Sequence, residues 1–151
     1  VTVTHPLLEK ISPSDHYQQG QIALCPGSRL QEINLCLPTM LEAAEKIKIA
    51  YPKSTFSIIV ARPELKALIQ RCLVNHPYLE CNLIHENTYD HLSRCHFAIA
   101  VSGTMTLELA FMTTPMIIVY RGSWLSVLIA KQILSKYSVM VTIKIRLWVG
   151  W

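Results

Sequence analysis

The chain has 151 residues, 51% of them hydrophobic and 16% charged. That is enough apolar material for one well-packed domain and too much for a disordered chain. A formal net charge of +4 is mild, and it suits an anionic ligand, an anionic membrane surface or nucleic acid alike.

The positive charge is uneven. From Arg121 onward come Arg121, Lys131, Lys136, Lys144 and Arg146, with no acid among them. A basic, apolar C-terminal third is compatible with contact to a membrane surface, and equally with a buried helix followed by a poorly specified tail. Five cysteines, Cys25, Cys36, Cys72, Cys81 and Cys95, form no CxxC pair. An odd, scattered set points to reduced thiols in a cytosolic protein. Cys81/His85 and His91/Cys95 have the i,i+4 spacing of helical metal pairs, but no matching second pair exists, and buried free thiols are the commoner outcome. No signal peptide is visible, and no run of about 20 apolar residues suggests a membrane span. The chain starts at Val1, which suggests a fragment or a processed product.

Residues 1–20 read as a linker, with Pro6, Pro13, Ser12, Ser14 and Gly20 around one short apolar cluster. Gln21–Cys25 is a short apolar run stopped by Pro26-Gly27, a buried strand and tight loop. A helix follows over about Leu30–Ala50, with Ile33, Leu37, Leu41, Ala44 and Ile47 at helical spacing. Pro38 is expected to kink it or to start a second segment. Thr55–Val60 is the next strand, and Pro63–Leu73 a helix with proline suitably in its first turn. Cys81–Ile84 then reads as a short strand, Tyr89–Arg94 as a short helix, Phe97–Val101 as a strand apolar on both faces, and Thr104–Met112 as a helix. Pro115–Tyr120 is a strand and Ser123–Tyr137 a helix.

Alternation of strand and helix, with strands apolar throughout, implies an α/β fold: a Rossmann-like parallel sheet with helices on both faces, spanning residues 21–137. Right-handed crossovers place every strand-to-helix loop at one edge, where ligands bind in such sheets. Two of those loops are unusually polar.

The first is Pro26-Gly27-Ser28-Arg29. Gly27 lets the backbone approach a ligand closely, Ser28 can cap the helix, and the helix start favours an anion. Arg29 adds a cation shaped for phosphate oxygens. Glu32 can complete a capping box on the Arg29 side of the turn or face a sugar hydroxyl. The same residues also describe an ordinary capped helix with a surface arginine. Neither a Walker motif nor a dinucleotide fingerprint is present.

The second loop is Ser102-Gly103-Thr104-Met105-Thr106-Leu107-Glu108. Gly103 is expected to permit a sharp turn. Hydroxyls from Ser102, Thr104 and Thr106, with the N–H groups of the helix start, make a phosphate cradle that needs no lysine. Glu108, one turn beyond Thr104 on the same helix face, is placed to accept from two ribose hydroxyls. Thr104 as a simple cap, with Glu108 meeting the positive end of the helix dipole, is the competing explanation. Arg121, after the strand that ends in Tyr120, would bring a further cation to the same edge.

Taken in order, these motifs resemble the donor domain of lipid-A-disaccharide synthase. The residues concerned are Pro26–Arg29, Glu32-Ile33, Leu37-Pro38, Leu41–Ala44, Ala100–Glu108, Thr114–Met116, Val119–Arg121 and Ala130-Lys131. Thr4-His5-Pro6-Leu7 resembles the family's Gly-His-Pro-Leu segment, with Thr4 in place of glycine. The likeness covers roughly Thr4 to Tyr137.

The resemblance implies the C-terminal half of a GT-B fold, two Rossmann-like domains facing across a cleft. It implies transfer from UDP-2,3-diacylglucosamine to 2,3-diacylglucosamine 1-phosphate, with inversion and with no bound metal or other cofactor. It also implies a lipid acceptor held by an N-terminal domain, peripheral attachment to the cytoplasmic face of a Gram-negative inner membrane, and no nucleic-acid partner. Gly27, Ser28, Arg29, Glu32, Ser102, Gly103, Thr104, Thr106, Glu108 and Arg121 would bind the donor, with Arg29 stabilising the leaving diphosphate. The family's acceptor domain and its general base are absent from this sequence, so the chain is expected to bind UDP weakly and not to catalyse transfer alone. After Tyr137 the sequence departs from the family, and Trp148 and Trp151 fall in its last four residues. A shifted frame, a truncation or an aggregation-prone strand over residues 138–151 would each account for this. Two other functions remain open: another UDP-sugar enzyme of the same fold (a peptidoglycan-precursor transferase or an epimerase), and a non-catalytic nucleotide-binding domain.

Overall fold

The computed structural model describes residues 18–119. Their elements in chain order are β1 (Gln18–Cys25), α1 (Leu30–Ala50), β2 (Thr55–Ile59), a 3₁₀ turn (Pro63–Leu65), α2 (Lys66–Leu73), β3 (Cys81–Ile84), α3 (Thr88–Arg94), β4 (Cys95–Val101), α4 (Thr104–Phe111) and β5 (Met116–Val119). The linker over residues 1–17, Tyr120, Arg121, the helix expected over Ser123–Tyr137 and the tail lie outside the described residues.

All the strand pairings are parallel, in the order β3-β2-β1-β4-β5. The chain builds outward from β1 to β2 and β3, then returns to the other side of β1 to add β4 and β5. The reversal leaves a crevice at the carboxyl ends of β1 and β4, where loops turn away from each other over opposite faces.

Side-chain alternation sorts the strands between two apolar layers. Ile22, Leu24, Phe56, Ile58, Ile99 and Val101 face α1 and α2, meeting Ile33, Leu37, Leu41 and Ile69. Ala23, Cys25, Ile59, Ala98 and Ala100 face α3 and α4, meeting Leu92, Leu109 and Met112. The second layer is lined mostly by small residues. Both faces of the central strands are dry, which is why β1 and β4 read as continuous apolar runs.

Some element limits differ from expectation. The first strand starts at Gln18, three residues early, and β4 starts at Cys95, directly after α3. The first turn of the helix expected over Pro63–Leu73 is wound as 3₁₀. Most informative is α1, which runs as one element through Pro38. A proline inside a helix costs about 3 kcal/mol. Buried Ile33, Cys36 and Leu37 before it, and Met40, Leu41 and Ala44 after it, hold the two halves to the same core. Each fully buried Leu or Ile is worth about 1.5–3 kcal/mol, so the combined burial outweighs the penalty and no second segment starts.

Candidate functional site

Cys25 and Ala100 are register partners on β1 and β4. The two polar loops therefore leave the sheet one strand spacing apart, roughly 4.8 Å. They share one cleft of about 570 Å³, lined on one side by Gly27, Ser28, Arg29 and Glu32 and on the other by Ser102, Gly103, Thr104, Met105 and Glu108. That size suits a nucleotide-scale ligand. A third wall comes from the end of β3 and the start of α3, with His85, Thr88 and Tyr89. The floor is Cys25, Ile59, Val60 and Val101.

The first loop is built around Gly27, whose φ is +97°. An L-residue rarely adopts that conformation. A side chain there would also collide with Glu32, whose Cβ and Cδ would stand 3.2 Å from the added carbon. The N-cap of α1 is Arg29 rather than Ser28. A guanidinium has no acceptor, so Arg29 makes no side-chain cap hydrogen bond. Glu32 supplies the capping carboxylate instead. Its Oε2 accepts from the N–H groups of Ser28 at 3.2 Å and Arg29 at 3.3 Å, and its Oε1 pairs with Arg29 Nη1 at 3.4 Å. The side chain of Arg29 nevertheless stays 81% exposed over the cleft. From the β2 side, Arg62 Nη2 donates to the Ser28 carbonyl at 2.8 Å and pins the loop.

The second loop is organised differently. Gly103 is the N-cap of α4 and is extended, with φ 169°, a conformation open to any residue. A Cβ at Gly103 would meet nothing within 4 Å. The sharp turn expected of this glycine is therefore not what the backbone requires here. No side chain caps α4. Thr106, expected in the cradle, sits two residues past Thr104 and so points to another side of the helix. Its hydroxyl donates to the Gly103 carbonyl at 2.6 Å, and it does not line the cleft. The first-turn N–H groups of Thr104 and Met105 have no intrahelical acceptor. Ser102 extends the β4–β5 ladder through its N–H to the Val119 carbonyl at 3.2 Å.

Glu108 stands one turn inside α4, half-buried against the cleft wall. Burial pushes its carboxyl above the usual value of 4.5, and a hydrogen bond from the Tyr89 hydroxyl partly offsets this. Tyr89 is itself raised, first by burial and then by the Glu108 charge and hydrogen bond. The same carboxylate and the neighbouring Cys95 thiol add to the burial that pushes Cys25, on the cleft floor, up to about 12. Cys25 is thus a protonated, apolar part of the floor.

Sequence reasoning missed Tyr89, His85 and Thr88. The one available signal was position. They follow the β3 strand as the two polar loops follow β1 and β4, but the segment has no glycine or repeated hydroxyl to mark it. Arg121 lies outside the described residues.

The two cysteine–histidine spacings do not form metal pairs. Cys81 opens β3 and His85 follows its last residue, roughly 13 Å away at the rise of a strand. Cys95 instead donates its thiol to the His91 carbonyl at 3.3 Å. Among the described residues no group of three or more His, Cys, Asp or Glu is placed to hold a metal ion.

A family model described as lipid-A-disaccharide synthetase matches residues 3–143. The lipid-A-disaccharide synthase of Anaeromyxobacter dehalogenans (strain 2CP-C) is 36% identical over 141 residues, 87% of this chain and 37% of that protein. That of Syntrophotalea carbinolica is 36% identical over 118 residues, 75% of this chain and 29% of that protein. That of Gloeothece citriformis is 32% identical over 148 residues, 91% of this chain and 38% of that protein. The chain thus spans between 29% and 38% of the length of these relatives. A solved structure described as "Crystal structure of GtfA/B complex" matches with a TM-score of 0.51 at 11% identity, over 85% of this chain and 31% of that one, a likeness of fold alone. With residues 3–143 of its 151 matched by the family model, the chain belongs to the lipid-A-disaccharide synthetase family.

Proposed function

We propose that this chain is the donor-binding part of a glycosyltransferase that joins UDP-2,3-diacylglucosamine to 2,3-diacylglucosamine 1-phosphate, releasing UDP and forming the lipid A disaccharide. In this proposal the sheet is the C-terminal half of a GT-B fold, and the cleft holds the UDP moiety. The lipid acceptor binds a partner domain of the longer protein, and the assembly works at the cytoplasmic surface of the inner membrane. Family membership favours this over a peptidoglycan-precursor transferase, an epimerase or a non-catalytic nucleotide-binding domain.

One observation carries the proposal: two polar loops of a chain in this family open side by side onto a single cleft with a carboxylate one helical turn away. The diphosphate would lie at the start of α4, against the N–H groups of Thr104 and Met105 and the hydroxyls of Ser102 and Thr104. Glu108, steadied by Tyr89, would accept from the ribose hydroxyls. In transfer, negative charge grows on the departing diphosphate. Fixed N–H dipoles and the guanidinium of Arg29 stabilise that charge where it develops. Arg121 would add a second cation.

Calorimetric titration of UDP against the chain and its Arg29→Ala and Glu108→Ala variants tests this. Loss of a charged hydrogen-bond partner is worth about 1.5–3 kcal/mol, so Glu108→Ala should bind about tenfold or more weakly, and Arg29→Ala, whose guanidinium Glu32 already engages, by a smaller but resolvable factor. Equal binding by all three would remove the site.

A further inference from the structure

Glu32 occupies the donors that a phosphate would be expected to take at the first loop. One carboxylate oxygen accepts from two successive backbone N–H groups, those of Ser28 and Arg29, and the other faces the Arg29 guanidinium. Gly27 leaves no room between the loop and this carboxylate. The group lines the same cleft as Thr104 and Glu108 and is only partly buried, with 27% of its side chain exposed. Two successive N–H groups plus a guanidinium form an anion-binding nest. Here the chain fills that nest with its own anion.

We propose that Glu32 is a resident anion of the first loop, and that its carboxylate and the donor's diphosphate are alternative occupants of the Ser28 N–H, the Arg29 N–H and the Arg29 guanidinium. The proposal rests on the donor-binding role given to the cleft and goes beyond it by making Glu32 a competitor rather than a contact. Its consequence is selectivity by charge. A nucleoside diphosphate released by glycosyl transfer carries one more negative charge than the sugar-linked donor. Displaced but still beside the nest, the carboxylate repels the released diphosphate more than the donor. Glu32 sets how tightly the diphosphate is held, and swings away when Arg29 is engaged.

The test uses the full 151-residue chain with uridine, UMP and UDP as probes. Glu32→Gln keeps an acceptor for the two N–H groups, so the loop stays capped, but removes the charge. UDP should bind this variant about fivefold more tightly than the parent, the effect of one unit charge at about 4 Å in water. The gain should shrink for UMP, vanish for uridine and fade with added salt. A purely structural cap would show no dependence on phosphate number. In the unsubstituted protein, the amide resonances of Ser28 and Arg29 should shift with UDP and not with uridine, a readout that does not depend on the variant folding. Equal or weaker UDP binding by Glu32→Gln, or unmoved Ser28 and Arg29 amides on UDP binding, overturns the proposal while leaving the donor site intact. Failure of the unsubstituted chain to bind UDP at all overturns both.

Discussion

Gly27→Ala should be strongly destabilising, and the structure divides the cost into two parts. The residue has φ +97°, and holding an alanine in left-handed backbone costs roughly 1–2 kcal/mol. The added methyl also meets the Glu32 carboxylate, so Glu32 must leave and the Ser28 and Arg29 N–H groups lose their cap. Loss of an N-terminal cap is worth about 0.5–2 kcal/mol. Together these come to about 1.5–4 kcal/mol, or a melting temperature lowered by roughly 10 °C for a domain of this size. Urea titration followed by circular dichroism measures it. Repeating the substitution in a Glu32→Ala background should leave only the backbone share, a coupling of about 1 kcal/mol between neighbouring sites. The internal control is Gly103→Ala. Gly103 is extended and a Cβ there meets nothing within 4 Å, so stability should change by no more than about 0.5 kcal/mol. If Gly27→Ala costs no more than Gly103→Ala, the account of the first loop is wrong.

Three other outcomes are expected. Burial raises the Glu108 carboxyl above 4.5, so the folded chain holds this proton more tightly than the unfolded chain, and stability falls as pH rises through the interval above 4.5. Glu108→Gln escapes that loss. Its urea midpoint relative to the parent should climb with pH from 4.5 and then level off, and a constant difference would contradict the burial argument. His91 behaves in the opposite sense. Burial lowers it below 6.5, with the nearby Arg94 adding to the shift and Asp90 opposing it, while its Nε2 lies 2.8 Å from the Ser57 hydroxyl. Its contribution to stability is complete above 6.5 and is lost as pH falls through the folded-state value. An NMR titration of the His91 ring should give a midpoint below 6.5, and one at or above it would refute the assignment. Finally, burial holds Cys25 at about 12 and Cys81 and Cys95 at about 11, so at pH 8 these thiols should resist a disulfide reagent in the folded chain and react together on unfolding.

Much of the fold was legible because its strongest signals are repetitive. Ile33, Leu37, Leu41 and Ala44 mark α1 by period, and the apolar runs of β1 and β4 mark strands with two buried faces. The start of α1 was legible too, from Pro26-Gly27 before it. Pro38 was misleading, because a local penalty was judged without the core that outweighs it. At the site, the paired loops were legible as strand–glycine–hydroxyl–helix patterns. What was not legible was the use each polar group makes of its neighbours. Thr106 is one of three hydroxyls in sequence, and only its angle around α4 removes it from the cleft. Tyr89 carries no motif, and only the placement of α3 and α4 over the same face of the sheet brings its hydroxyl to Glu108.

The two loops look alike as sequence and would differ as anion sites. At the first, two N–H groups and a guanidinium are already satisfied by Glu32, so an incoming phosphate gains there only the difference between itself and a carboxylate. At the second, no side chain caps α4, and Thr104 and Met105, whose N–H groups have no intrahelical acceptor, line the cleft. Binding strength should therefore come first from the second loop and Glu108, while the first loop should respond to added charge. A group that binds the ground state weakly but strengthens as charge accumulates is what transition-state stabilisation requires. In the proposed donor role Arg29, held by Glu32 until a stronger anion develops, would be the residue of this cleft with that property.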